Sequence, residues 1–168
     1  LGLQVLTQQT NPNTNTKASP SIVGSRYPKE INDAYLWAYG FDITTQTSIQ
    51  KANIDGKLIR KDMAKMITNF AVNVLKKTMP NTGTNCTFTD TKALSKEAQT
   101  YATAACRLGL MGYASDGKTL KSTFDPNAEV DRAQFGTILS RVLYGDKHNA
   151  SSKTTPYYAN HLDALKDA

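Results

Sequence analysis

Two arginines, 72 positions apart (132 − 60), are the residues of this chain best placed to do chemistry. Each opens an amphipathic stretch: Asp131-Arg132-Ala133-Gln134-Phe135 in one case, Leu58-Ile59-Arg60-Lys61-Asp62-Met63 in the other. A guanidinium in the first turn of a helix can make a paired contact to a carboxylate, and the helix-end N–H groups add positive potential. The chemistry implied is recognition of an anion, not the making of bonds. No G-x-S-x-G, H-E-x-x-H or phosphate-loop pattern is present. Asp125 and Asp131 flank one segment, but a turn and a helix cap account for them. We therefore expect a protein that is not an enzyme and uses no cofactor.

The remaining reactive side chains are few. His148 and His161 are the only histidines, and neither has a Cys, Asp and Glu set at ligand spacing, so no metal site is expected. Cys86 and Cys106 are too few for a disulfide scaffold and are not clustered as metal ligands are. If the chain is exported they form a single staple; otherwise they are two buried thiols. Trp37 falls off the apolar face of its helix and is the candidate platform for a sugar ring, with packing between helices as the competing role. Asn85-Cys86-Thr87 and Asn149-Ala150-Ser151 fit the glycosylation pattern, which is common by chance.

Charge narrows the partner. Twenty basic against 14 acidic side chains leave +6, which favours an acidic glycan, nucleic acid or lipid headgroups. The basic residues are scattered and form no stripe interleaved with aromatics, which argues against nucleic acid. No apolar run approaches the roughly 20 residues of a membrane helix, so no transmembrane segment is expected. Leu1–Leu6 is too short for a signal-peptide core and the chain does not begin with Met, so a processed, trimmed or partial product is expected.

Two copies of one plan, and the start of a third, must position these residues. Residues 1–27 read as an arm or linker, rich in Thr, Asn and Gln over 7–25. In the first copy, 28–80, a helix over 29–39 turns Ile31, Ala34, Tyr35, Ala38 and Phe41 inward and ends at Gly40. A connector carries the turn signal Asn53-Ile54-Asp55-Gly56, and a second helix runs from Arg60 to Lys77. In the second copy, 86–146, a helix from Ser95 to Leu108 is stopped by Gly109. A connector with Phe124-Asp125-Pro126 leads to a helix over 132–144. Asp131 caps that helix, Gln134 completes a capping box, and Phe135, Ile138, Leu139, Val142 and Leu143 form its buried stripe. Residues 157–168 restart a first helix, with His161 aligned on Tyr101.

The second copy resembles the S-layer homology domain. Phe88-Thr89-Asp90 stands for its opening Phe-x-Asp and Gly109-Leu110-Met111-Gly112 for its glycine turn. Phe124-Asp125-Pro126 stands for Phe-x-Pro, and Val130-Asp131-Arg132-Ala133-Gln134 for the Ile-Thr-Arg-Ala-Glu signature. The first copy departs: its turn is Gly40-Phe41-Asp42-Ile43, Phe-x-Pro is absent, and Ile59 sits where Thr should cap. The resemblance implies an all-α fold of tandem helix–loop–helix repeats, a pseudo-threefold bundle incomplete in this chain. It further implies non-covalent anchoring of an exported protein at the bacterial cell surface. The partner would be an anionic, often pyruvylated, cell-wall polysaccharide bound between copies. Carried over by position, the ligand-binding residues are Arg132, Gly109 and Gly112, with Asp90 near the entry, and Arg60 from the first copy. The alternative reading is a self-assembling subunit of a surface layer, filament or appendage, whose partners are other copies of itself.

Overall fold

Helices form at each place the apolar spacing predicts one, though not always to the expected bound, and the computed structural model describes residues 17–80, 85–150 and 156–167. Its α-helices are α1 (Lys29–Gly40), α2 (Ile49–Ala52), α3 (Arg60–Asn69), α4 (Lys96–Arg107), α5 (Arg132–Tyr144) and α6 (Ala159–Lys166). Among the described residues there is no strand, only three isolated bridges, so the fold is all-α. No helix there is long and apolar enough to cross a membrane. Two compact units divide the chain at Gly56–Lys57, between the two helices of the expected 28–80 repeat.

In unit one, α1 buries Tyr35 and Tyr39, while Ile31 and Ala34, expected inward, are exposed. The tyrosines win the core side because each hydroxyl finds a backbone acceptor: Tyr35 donates to Gln46 O (2.6 Å) and Tyr39 to Ala18 O (2.9 Å). Residues 17–27, expected as linker, are held here, although they have few apolar side chains to bury. Ser21 N–H donates to Thr47 O, Ile49 N–H donates to Ser21 O, and Lys17 pairs with Asp42. Backbone pairing supplies what apolar burial does not. The rest of the expected arm, residues 1–16, lies outside the described residues.

Unit two is built on α3 packed along α4, and α5 packed along α6. Met63, Ala64, Ile67 and Ala71 of the α3 segment share one core with Cys86, Phe88, Ala102, Ala105, Cys106 and Phe124. Cys86 and Cys106 are joined by a disulfide, which ties the segment before α4 to its last turn. The second helix of the first copy does not run unbroken to Lys77. After Asn69 it widens into a π-turn over Phe70–Val74, closed by Leu75 N–H to Phe70 O (3.1 Å), and Lys76 then takes φ 56°.

The α3 start explains how a helix tolerates Ile59 at its cap. Ile59 has no side-chain acceptor, yet Arg60 N–H donates to Ala128 O (3.0 Å) and Lys61 N–H to Pro126 O (2.9 Å). Carbonyls from the second copy thus satisfy donors that a Thr would otherwise help to satisfy. The exchange is antiparallel, with Ile59 bridged to Glu129 and Val130 N–H on Leu58 O (2.8 Å). At α5, Asp131 does cap, accepting from Gln134 N–H (2.7 Å). The capping box is only half made, because Gln134 Oε1 has no partner among the described residues.

The first helices also end alike, but not where the glycines align. Gly109 (φ 75°) donates to Cys106 O, while Leu110 and Met111 both donate to Ala105 O. In unit one, Asp42 (φ 59°) donates to Tyr39 O, while Ile43 and Thr44 both donate to Ala38 O. Asp42, not Gly40, therefore holds the left-handed place of Gly109; Asp is among the few residues that tolerate it. Counted back from the last helical bond, His161 matches the buried Ala102 and Tyr35, not Tyr101.

Candidate functional site

The connector between α4 and α5 folds back as a hairpin-like loop, and its shape creates a pocket. Tyr113 bridges Leu120, Lys121 N–H donates to Gly112 O (2.9 Å), and Asp116 accepts from the N–H groups of Lys118 and Thr119 at the tip. Those bonds, led by the one from the Thr119 hydroxyl, pull the Asp116 carboxyl down to about 2. Gly112 (φ 88°) is buried, and a Cβ there would lie 2.5 Å from the tip of the Phe88 ring. Only glycine lets the loop pass that ring.

Farther along, Asp90 anchors the Phe-x-Pro segment by accepting from Phe124 N–H (2.9 Å) and Asp125 N–H (2.8 Å). Phe124 is fully buried, edge-on to Phe88 with centroids 5.2 Å apart. This anchoring accommodates Asp125 in a left-handed conformation (φ 57°), a strained backbone for a non-glycine residue.

The resulting pocket, about 310 Å³, is lined on its polar side by Arg60, Lys121, Gln134, Arg141 and Tyr157. Arg60 comes from the start of α3; its Nε donates to Phe124 O (2.7 Å) and its guanidinium lies over the Phe124 ring. Arg141 comes from α5 and is 7% exposed; its Nε donates to Asn149 Oδ1 (3.0 Å). Burial pulls both guanidinium groups below the ordinary arginine value, although Asp125, Tyr157 and Asp90 partly offset this at Arg60. Among the described residues neither is within ion-pair distance of a carboxylate. Lys121 does have a partner, Asp125 at 2.7 Å, whose carboxyl is lowered chiefly by that bond. Burial, followed by the charge of Asp131, raises the Tyr157 phenol. Among the described residues no acidic side chain lines the pocket. Two partly desolvated guanidinium groups and an ammonium facing one concavity are suited to hold a carboxylate-bearing ligand.

The residues singled out from sequence separate here. Arg60 and Gly112 line the pocket; Arg132, at the start of α5, is exposed and does not. Gly109 is exposed with nothing near its Cβ position and serves to end α4. Asp90 is committed to the loop backbone. Trp37 packs against Phe41 with centroids 5.0 Å apart. Asn149 is engaged by Arg141, and no cluster able to hold a metal ion occurs among the described residues.

Sequence reading missed Arg141, Lys121 and Tyr157. No local signal marks Arg141: a cation next to Ser140 reads as the solvent side of a helix. The expected stripe holds at Ile138 and Val142, which are buried, but not at its ends: Phe135 (44%) and Leu143 (41%) are exposed while Gly136, Thr137, Ser140 and Arg141 are buried. Comparison of the chain with family models, curated proteins and solved structures returns no match.

Proposed function

We propose that unit two is a cell-surface anchoring module that binds an anionic cell-wall polysaccharide non-covalently. The carrying observation is the acid-free pocket holding Arg60, Lys121 and Arg141. Its size suits one charged sugar-sized group, and the ligand's carboxylate would supply the counter-charge that the two guanidinium groups lack. The buried Cys86–Cys106 disulfide supports an exported protein, because such bonds persist in oxidising compartments. The resemblance of residues 88–134 to the S-layer homology domain supports the envelope as the location. The site proposed here differs from the one expected from sequence in its leading residue: Arg60 takes the place given to Arg132.

The test is co-sedimentation of the purified protein with envelope polysaccharide, with and without its acidic substituents. Arg60→Ala should lower affinity about tenfold, the loss of one charge-assisted contact. Arg132→Ala should leave affinity unchanged, and raised salt should weaken binding in both proteins. Equal binding by wild type and Arg60→Ala, or indifference to the acidic groups, would refute the proposal.

One observation favours a second reading, a self-assembling subunit of a surface layer, filament or appendage. Phe135 and Leu143 stand exposed on α5 at positions whose equivalents in the α3 segment, Met63 and Ala71, are buried. Sedimentation at increasing concentration separates the two: ordered polymers that ignore polysaccharide favour the subunit.

A further inference from the structure

We propose that α6 is an acid-released wall of the pocket, and that His161 is its latch: protonating this buried imidazole frees α6 from α5 and withdraws Tyr157 from beside Arg60 and Arg141. The biological sense of the latch rests on the reading of the pocket as an anion site; its physical content does not.

His161 is 1% exposed, at the seam between α6 and α5. Its Nδ1 lies 2.9 Å from Ser140 Oγ, while Nε2 is buried with no partner among the described residues. A neutral imidazole fits this site, since one nitrogen exchanges a hydrogen bond with the Ser140 hydroxyl. A protonated ring carries N–H on both nitrogens and leaves a charged donor buried without an acceptor, which is costly. The ionisable groups facing it are both basic. Arg141 comes from α5, and His148, from the link after α5, has its ring centre 6.4 Å away and is itself edge-on to Tyr144. Among the described residues no carboxylate offsets them. Burial first, then Arg141 and His148, bring His161 down to about 4 from an ordinary 6.5.

Docked α6 binds fewer protons than free α6, so docking is at full strength above pH 6.5. It weakens as pH falls below 6.5 and levels off below about 4. The same side chains join the latch to the pocket. Arg141 faces both, and Tyr157 lines the pocket two residues before α6 begins. The rest of the seam is a small apolar contact: the helix has eight residues, and it meets Gly136 through Leu162, itself 36% exposed, and through Leu165.

The experiment is hydrogen–deuterium exchange on the intact protein from pH 7.5 to 4.5, corrected for the intrinsic pH dependence of exchange. Protection of 157–167 should fall on the order of 10- to 100-fold over that range while α4 amides hold theirs. His161→Gln, which keeps a polar group for Ser140 but cannot be protonated, should show no such fall. Protection of 157–167 that is independent of pH in the wild type, or lost equally in His161→Gln, overturns the proposal. Should the variant fail to dock α6 at any pH, direct NMR titration of His161 in the wild type decides: a midpoint well below 6.5 supports the latch and one near 6.5 overturns it. None of these measurements involves a glycan. A protein that ignores polysaccharide at every pH refutes the anion-site reading alone, and an α6 indifferent to pH in a protein that binds polysaccharide refutes the latch alone.

Discussion

The α3–α4 pair and the α5–α6 pair are alike in plan, one helix packed along the next, yet they are held by different forces. Where α3 has Ala64 and Thr68, α5 has Gly136 and Ser140; where α4 has Ala102, α6 has His161. The first seam is closed inside by small and apolar side chains, with the Lys65–Glu97 ion pair at its exposed edge, and a disulfide secures α4 beside it. The second has at its centre a buried hydrogen bond between an imidazole and a hydroxyl, beside the contact of Leu162 and Leu165 with Gly136. The first therefore keeps its carboxylate at the solvent edge, whereas the second buries a titratable ring. The difference also shows how little of a seam's chemistry the helix pattern dictates: one helix packs along the next in both pairs while the buried contact turns from apolar to polar.

The largest test of this contrast is removal of the staple. Replacing Cys86 and Cys106 together with Ala, which opens a loop of 20 residues, should lower stability by about 3 kcal/mol in urea unfolding. A change below about 1 kcal/mol would mean that apolar packing alone holds the first seam. Exchanging the seam residues comes next. Ala102→His overfills a fully buried position and should cost about 2 kcal/mol. His161→Ala strands the Ser140 hydroxyl and should cost about as much, while abolishing the acid response of α6. Retention of that response in His161→Ala would assign it to another group.

The two helix starts give a smaller contrast. Asp131→Ala should cost about 1 kcal/mol because it removes the only side-chain cap on α5. Ile59→Thr should change stability by only a few tenths, since the α3 donors already have carbonyl partners. Gly109→Asp should be comparably mild. Asp42 already adopts the same left-handed turn, and nothing approaches the Gly109 Cβ position, so a shift below about 1 kcal/mol is expected by thermal unfolding.

Much of the all-α architecture is legible in the chain because its signals are local. The α5 bounds follow from Asp131 at one end and Gly145 at the other, and α4 from Ser95 and Gly109. The covered face of α5 is not legible in this way. Phe135 and Leu143 are more apolar than Ser140 and Arg141, so periodicity alone turns them inward. The side that is covered depends on where α6 docks, which is a tertiary fact. The pocket is harder still, because Arg60, Gly112, Arg141 and Tyr157 come from four separate segments. Arg60 and Arg132 are equivalent in sequence. Only the second copy's connector, lying against the start of α3, distinguishes them.

The exchange of carbonyls at the start of α3 has a kinetic consequence. Arg60 reaches Phe124 across 64 residues and Lys57 reaches Glu129 across 72, while the first-turn donors of α3 wait for Pro126 and Ala128. Contacts this distant in sequence close late and slow the search for the native state. A chain emerging from its N-terminal end carries α3 with its first turn incomplete until the second connector has followed it. Pulse-labelled refolding should accordingly show the α3 amides gaining protection together with those of 126–130, and not before them.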